Sequence, residues 1–171
     1  MKTKPPLQSY CLATPVGQVR VELSARGLRS LTLPRGRARR RHKGAVVLDA
    51  LLRRLQRDLR DYFEGKAVEL RHPLDLDGAT PFQRAVWRAL RRIPHGQTRT
   101  YAQIARAIGR PRACRAVGAA CGSNPLPLLI PCHRVVGGNG VGGFSAGRGW
   151  KKFLLDLEAA AAEEGSGVLP E

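Results

Sequence analysis

A cysteine and a histidine stand side by side in the sequence Ile-Pro-Cys-His-Arg-Val-Val, which covers residues 130–136. The thiolate form of cysteine is the nucleophile, and a nearby histidine or cationic group lowers the thiol pKa so that the thiolate forms. Cys132 has His133 beside it and Arg134 one residue further on. We therefore interpret Cys132 as a nucleophile whose pKa is lowered by these neighbours.

Adjacency in sequence does not by itself let the side chains of Cys132 and His133 form a hydrogen bond. Neighbouring residues of an extended strand point to opposite faces, so Cys132 and His133 can bond directly only if the backbone is irregular. Otherwise a water molecule relays the proton. The imidazole also needs an orienting partner, and downstream only Asp156 and Glu158, on a helix predicted over residues 150–162, are candidates. The alternative is an inert core thiol beside a buried histidine.

The charge of the chain indicates what such a nucleophile would act on. The 171 residues carry 30 Lys and Arg against 13 Asp and Glu, a formal net charge of +17, and no acidic residue occurs between Asp77 and Asp156. A cationic surface of this kind favours nucleic acid as the partner. The alternative is an arginine-rich proteome in which these side chains are merely solvated.

The sequence gives little indication of a metal site or of a membrane segment. The four cysteines, Cys11, Cys114, Cys121 and Cys132, have no spacing typical of zinc ligands, so we expect no metal. We interpret Cys114 and Cys121 as small core residues. The N-terminus has no apolar signal region and no segment is long enough to span a bilayer, so we expect no membrane contact and a cytoplasmic location.

The first part of the chain predicts strands followed by a helix. Strands are expected at residues 10–13, 19–23 and 28–33, then a basic loop over residues 35–44 that is more typical of a solvated connection than of a DNA-binding arm. Apolar spacing predicts a helix from Val47 to Gly65, and residues 68–76 are expected to add an edge strand.

The second part predicts short helices with clear start signals. Thr80 and Thr100 each precede a glutamine by three residues, at Gln83 and Gln103, in the pattern of a capping box. A helix from about 100 to 109 and another from 112 to 122 predict a helix-turn-helix. The second of these helices has mostly Ala and Gly on its surface, which lets its backbone approach another surface closely.

A glycine-rich run follows the Cys-His segment. Gly138, Gly140 and Gly143 match the pattern G-x-G-x-x-G, but the chain supplies no second parallel strand for a dinucleotide-binding fold. These glycines more readily let a loop press against a flat ligand. The fold class expected is α+β, with a small antiparallel sheet and one helix over residues 1–78 and a mostly helical domain with the helix-turn-helix over residues 79–171.

The chain resembles the O6-alkylguanine-DNA alkyltransferases, the methylated-DNA–protein-cysteine methyltransferases, from Thr80 to Glu158. The segments that carry the resemblance keep the order and spacing of that family; they are Thr-Pro-Phe-Gln at 80–83, Ile-Pro-His-Gly at 93–96, Thr-Tyr at 100–101, Arg-Ala-Val-Gly at 115–118, Asn-Pro at 124–125, Pro-Cys-His-Arg-Val at 131–135 and Leu-Leu-Asp-Leu-Glu at 154–158.

The resemblance implies repair of alkylated DNA in a single turnover. A damaged base is flipped out of the duplex and its alkyl group passes to Cys132. It also implies that His133 polarises Cys132 through water, that Glu158 orients His133 and that Asn124 holds the turn before the active segment. Tyr101 would donate a hydrogen bond to the leaving guanine.

The same resemblance implies the remaining binding residues. The carbonyl of Val135, the side chain of Phe144 and the amide of Ser145 would contact the flipped base. Arg115 would fill the space that the base leaves, within a minor-groove surface whose other expected contacts are Arg112, Ala116, Thr100 and Gln103. The implied partner is double-stranded DNA containing alkylated guanine, with activity expected on O4-methylthymine as well, in a monomer without a cofactor.

The chain departs from the family pattern at the pocket edge. Phe144 stands where many members carry tyrosine, and this departure leaves the tolerated alkyl size open. Two other functions remain as alternatives. One is a non-catalytic lesion binder, although such relatives lack the nucleophile. The other is a helix-turn-helix regulator in which Cys132 senses redox state.

Overall fold

A computed structural model describes residues 7–34, 49–138 and 140–166 of the chain. The basic loop predicted at residues 35–44 and the predicted start of the first helix at Val47 lie outside these ranges. Within them the fold is α+β, as predicted: a three-stranded antiparallel sheet is followed by helices. None of the helices in the described ranges has the length and hydrophobicity that crossing a bilayer requires.

The sheet consists of β1 (Gln8–Thr14), β2 (Gly17–Ser24) and β3 (Gly27–Thr32), in that spatial order. One face of the sheet is buried, as the alternation of Val19 and Val21 with polar residues predicts. Gly27 closes the second hairpin at φ +136°, and a Cβ there would lie 2.5 Å from the carbonyl oxygen of Pro73. Only glycine permits this approach of the following segment.

The prediction of an edge strand over residues 68–76 is wrong, since the segment forms only one isolated bridge. Leu74 bridges Leu28, where the amide of Leu28 donates to the Pro73 carbonyl (2.9 Å) and the amide of Asp75 donates to the Leu28 carbonyl (2.8 Å). Side chains hold the segment instead, since His72 contacts Asp58 (3.0 Å) and Ser24 donates to Asp75 (2.7 Å). Pro73 has no N–H with which to continue a ladder.

Helix α1 (Ala50–Phe63) packs its apolar face against β1. Asp49 caps the helix by accepting a hydrogen bond from the amide of Leu52 (2.8 Å). The last turn buries Tyr62 and Phe63, and Tyr62 points into the C-terminal part of the molecule, as described below.

Helices α2 (Pro81–Leu90), α3 (Tyr101–Ala107) and α4 (Cys114–Gly122) pack against one another. Both predicted capping boxes form, at Thr80 with Gln83 and at Thr100 with Gln103. Helices α3 and α4 are the predicted helix-turn-helix, although α4 begins at Cys114, two residues later than expected. The indole of Trp87 on α2 donates to the Ala120 carbonyl on α4 (2.8 Å) and fixes the two helices together.

The Cys-His segment forms a single 3-10 turn, Cys132–Arg134, that leads into the short strand β5 (Val135–Val136). Strand β5 pairs in parallel with β4 (Arg99–Thr100), just before α3. Helix α5 (Arg148–Ser166) closes the fold and is longer than the predicted span of 150–162. The turn with the cysteine therefore lies between the start of the helix-turn-helix and the last helix.

Contacts cross the predicted domain boundary at residue 78, which itself stays a prediction. The amide of Leu31 donates to the carbonyl of Pro125 (2.9 Å), and the indole of Trp150 donates to the carbonyl of Pro34 (3.0 Å). Buried apolar residues from both parts form one connected core. The N-terminal sheet and helix α1 thus support the segments that carry the candidate site.

Candidate active site and nucleic-acid interface

Asn124 organises the loop that leads to Cys132. Its side-chain oxygen accepts a hydrogen bond from the amide of Leu126 (3.0 Å), and its Nδ2 donates to the carbonyl of Ile130 (2.8 Å). The same Nδ2 also donates to Sγ of Cys132 (3.1 Å). A buried amide thus holds both the turn and the sulfur.

The backbone at the Cys-His pair is irregular rather than extended, which is one of the two arrangements that the sequence left open. In the 3-10 turn, Sγ of Cys132 faces Asn124 while the His133 ring faces Glu158. His133 Nδ1 is buried and has no hydrogen-bond partner among the described residues. Cys132 and His133 therefore do not form a direct pair in this structure.

Glu158 is the centre of a buried hydrogen-bond network. Its Oε1 accepts from Tyr62 (2.6 Å), His133 Nε2 (2.7 Å) and an Arg134 terminal nitrogen (2.9 Å). Its Oε2 accepts from Arg134 Nε (2.8 Å) and the amide of Gly96 (3.1 Å). Asp156, the other acidic candidate, is exposed and pairs with Lys152. Of the two carboxylates, only Glu158 reaches the imidazole.

This network determines which nitrogen of His133 carries the proton. Burial raises the pKa of Glu158, but hydrogen bonds from His133 and Arg134 outweigh it and hold that pKa well below its usual range. An ionised carboxylate can only accept, so His133 Nε2 must donate and Nδ1 is left with a free lone pair. His133 is thereby prepared to take up a proton at Nδ1.

The protonation states differ from the expectation that His133 and nearby cations lower the Cys132 pKa. Burial lowers the pKa of His133, so the imidazole is neutral. Burial also raises the pKa of Cys132, and the Asn124 hydrogen bond and the Lys151 charge offset this only in part. The resting site therefore holds a thiol beside a neutral base, because the depth of burial outweighs the charge of the neighbours.

Cys132 opens onto a cavity of about 380 Å³. Tyr101, Phe144 and Ser145 line it, together with Cys121 and the small residues Gly118, Gly122 and Gly143. Burial raises the pKa of Tyr101, so its hydroxyl keeps its proton and can donate a hydrogen bond into the cavity. The volume lies within the range of small-ligand sites.

Glycine at position 142 keeps the Tyr101 wall in place. Its φ is +76°, and a Cβ there would lie 3.0 Å from the Tyr101 hydroxyl and 3.5 Å from Lys151 Nζ. A side chain at this position would have to displace one of those two groups. The glycine-rich run thus allows a loop to lie close against the cavity wall, while its predicted contact with a flat ligand stays a prediction.

Val135 is not among the residues that line the cavity. Its carbonyl oxygen accepts a hydrogen bond from Lys151 Nζ (2.5 Å), which also donates to the Gly143 carbonyl (3.1 Å). A flipped base could therefore reach the Val135 carbonyl only through its second lone pair. Lys151 is fully buried, and burial lowers its pKa. It ties the active segment to the glycine-rich loop.

Sequence reasoning missed Lys151, Tyr62 and the role of Arg134. Lys151 has a weak signal, since it shares one face of α5 with buried Leu154 and with Glu158 at helical spacing. Tyr62 ends the apolar stripe of α1, and a buried tyrosine hydroxyl needs a partner. Nothing local in the sequence indicates that this partner is Glu158.

The exposed surface of α4 carries the small residues that the sequence predicts. Ala116, Ala119 and Gly122 are exposed, and Arg112 and Arg115 extend into solvent at the start of the helix. Thr100 and Gln103 lie at the N-terminus of α3, with both side chains engaged in the capping box. No cluster of three or more possible metal ligands occurs among the described residues.

Known proteins with this arrangement are DNA alkyltransferases. Residues 81–160 match the family described as 6-O-methylguanine DNA methyltransferase, DNA binding domain. Over 149 residues the chain is 40% identical to a methylated-DNA–protein-cysteine methyltransferase of Methanosarcina barkeri, covering 86% of this chain and 94% of that protein. An inducible methyltransferase of the same name from Bacillus subtilis is 45% identical over 130 residues, which are 74% of this chain and 72% of that protein.

The solved structures agree with the sequence relatives. The crystal structure of Mycobacterium tuberculosis OGT in complex with DNA superposes with a TM-score of 0.73 at 34% identity, covering 90% of this chain and 93% of that one. Fold and site together define a DNA-binding alkyltransferase. The chain belongs to the methylated-DNA–protein-cysteine methyltransferase family, which confirms the resemblance noted from the sequence.

Proposed function

We propose that the protein repairs double-stranded DNA by taking the alkyl group of O6-alkylguanine, and of O4-methylthymine, onto Cys132. The observation that carries the proposal is the buried Cys132 at the base-sized cavity, held by Asn124, next to a histidine fixed by Glu158. Each molecule reacts once, because the product is a stable thioether.

The reaction begins with a proton transfer. The Cys132 thiol gives its proton, through a water molecule, to Nδ1 of His133, and Glu158 stabilises the imidazolium that forms. The N–H of Asn124 supports the thiolate as it develops. The site is thus neutral at rest and forms the thiolate and the imidazolium only during the reaction.

The alkyl transfer itself is a displacement at carbon. The sulfur forms a bond to the alkyl carbon while the bond from that carbon to O6 breaks, and the electron pair moves into the guanine. Tyr101 donates a hydrogen bond to the leaving guanine anion. The guanine takes up one proton from solvent and the imidazolium of His133 gives one back to solvent, so both end neutral. Phe144 and Ser145 also line the cavity. No cofactor enters this balance.

DNA binding uses the exposed surface of α4. Phosphate contacts by arginine supply affinity that does not depend on sequence, as a protein that inspects all DNA requires. The small surface formed by Ala116 and its neighbours lets the helix approach the minor groove, and Arg115 takes the place of the flipped base. We place this activity in the cytoplasm and in a monomer.

The test is a mass measurement after incubation with duplex DNA that contains O6-methylguanine. The peptide with Cys132 should gain one methylene group and the peptides with Cys11, Cys114 and Cys121 none. The variant Cys132→Ser should gain nothing while it binds the same duplex with nearly the same affinity. A gain on another cysteine, or no gain in the wild type, would refute the mechanism. A parallel duplex with O4-methylthymine tests the second substrate.

A further inference from the structure

A second groove, of about 610 Å³, lies beside α2 and away from the cysteine. Its floor is apolar and includes Leu128, Leu129 and Pro131, all buried. Its rim is cationic, with the five exposed arginines Arg71, Arg84, Arg88, Arg91 and Arg92, and the buried Arg134 also lines it. Glu69 is the one acidic residue that lines this groove, and it pairs with Arg71 (2.5 Å).

The side chains of three of these arginines have neither a hydrogen bond nor an ion pair among the described residues. Arg134 is bound to Glu158, and Arg84 donates to the carbonyl of Ala79. Arg88, Arg91 and Arg92 are exposed and have no carboxylate within 4 Å in the described part of the chain. Since all three face one groove, the local field there is positive and unneutralised.

The fold does not require this clustering. Arg88 lies in the last turn of α2 and Arg91 is its C-cap, so the helix dipole favours cations there, but arginines three and four residues apart still repel one another. Helix α1 shows the arrangement that simple solvation allows, because Arg54 and Arg57 both lie near Asp58. Helix α2 contains no acidic residue at all. The cationic row therefore indicates a ligand rather than a solvated face.

The groove is separate from the lesion cavity and from the exposed face of α4. The residues that line the two cavities do not overlap, although Pro131 and Arg134 of the groove flank Cys132 in sequence. Trp87 lines the groove, and its indole bonds to α4. Helix α2 thus lies between the groove and the surface proposed to hold the damaged duplex.

We propose that this groove binds the phosphate backbone of a further nucleic-acid strand. Arg84 and Arg91 are seven residues apart, about 10 Å along the helix axis, which spans on the order of three phosphates of one strand. Guanidinium groups pair with phosphate in a bidentate manner, and the apolar floor suits sugar and base faces. The proposal for this groove rests on the proposed function in requiring that DNA is the partner, but it does not require alkyl transfer.

The test compares two double variants with equal loss of charge. Arg88→Gln/Arg91→Gln removes two groove arginines, and the control Arg20→Gln/Arg60→Gln removes two exposed arginines that do not line it. The affinity for a fluorescent undamaged duplex is measured between about 50 and 200 mM salt. The groove variant should lower the slope of log K against log salt by about 1.8, since each lost phosphate contact contributes about 0.9.

The control variant should change the slope by much less. An equal change of the slope in both variants would mean that only the overall charge matters. An unchanged slope in the groove variant would mean that the groove does not bind nucleic-acid phosphates. Either result overturns the proposal. Both variants should unfold at the wild-type temperature and take the alkyl group from the free alkylated base at the wild-type rate. Loss of that reaction in the wild type would instead refute the proposed function.

Discussion

Replacing Glu158 by glutamine tests the network at the centre of the site. The amide keeps the shape but removes the charge, so Arg134 remains buried without a counterion and loses one of the two oxygens that accept its hydrogen bonds. Removing one partner of a buried ion pair costs about 3–5 kcal/mol. At about 2–4 °C per kcal/mol for a chain of this size, the unfolding midpoint should fall by roughly 6–20 °C.

The same change should slow alkyl transfer. Without the carboxylate, His133 has no fixed tautomer and the imidazolium formed during the reaction has no counterion. A positioned general base contributes about 10²–10⁴-fold to a rate, so we expect a loss of that order for Glu158→Gln. The assay is a single-turnover reaction with duplex DNA containing O6-methylguanine, well below the midpoint of the variant.

Asp156→Asn is the matched control, because it removes the same charge two residues away on α5. Asp156 is exposed and pairs with Lys152 (2.6 Å), so its loss should change stability by no more than about 0.5 kcal/mol and leave the rate unchanged. The reasoning would be refuted if Glu158→Gln kept the stability and transfer rate of the wild type. It would also be refuted if Asp156→Asn lost as much stability and rate as Glu158→Gln. If Glu158→Gln does not fold, the milder Tyr62→Phe addresses the same network.

Two further substitutions and two pH dependences probe the site. Tyr62→Phe removes a donor to a buried carboxylate and should cost about 1.5–3 kcal/mol in thermal unfolding; an unchanged midpoint would contradict the network. Lys151→Met keeps the length of the side chain but removes the cation, so the thiol pKa of Cys132 should rise and duplex repair should slow; an unchanged rate would make Lys151 purely structural. The transfer rate should be flat from about pH 7 to 8.5, because the folded pKa of His133 lies below 6.5 and that of Cys132 above 9.0; a reaction limited by free thiolate would rise about tenfold per pH unit. Below pH 6.5 stability should fall as the unfolded chain takes up a proton at His133 that the folded chain excludes, and chemical denaturation at several pH values measures this.

Local chemistry explains why most of the fold was predictable. The capping boxes at Thr80 and Thr100 require only residues three apart, and the hairpins require only alternation and turn glycines. The segment 68–76 also alternates apolar and polar residues, yet it forms a single bridge. Its backbone is held by the distant side chains of Asp58 and Ser24, a tertiary effect that alternation does not contain.

The candidate site divides in the same way. Cys132 and His133 could be found by adjacency. The acidic residues downstream left Asp156 and Glu158 both open, and only the family resemblance selected Glu158. Tyr62 lies 96 residues from Glu158 in sequence, so only the folded chain reveals their contact. The direction of the pKa shift of Cys132 could not be predicted from the sequence either. It depends on how deeply the sulfur is buried rather than on which residues are adjacent to it.

The burial of Cys132 limits which reagents in solution can modify it. The residue is 3% exposed, and its sulfur is a thiol rather than a thiolate at neutral pH. Small electrophiles and disulfides in solution react with exposed thiolates, so they should modify the half-buried Cys11 and Cys114 sooner. Under the proposed single turnover, this burial keeps the acceptor sulfur intact during metabolic or oxidative stress, when diffusible reagents greatly outnumber damaged bases.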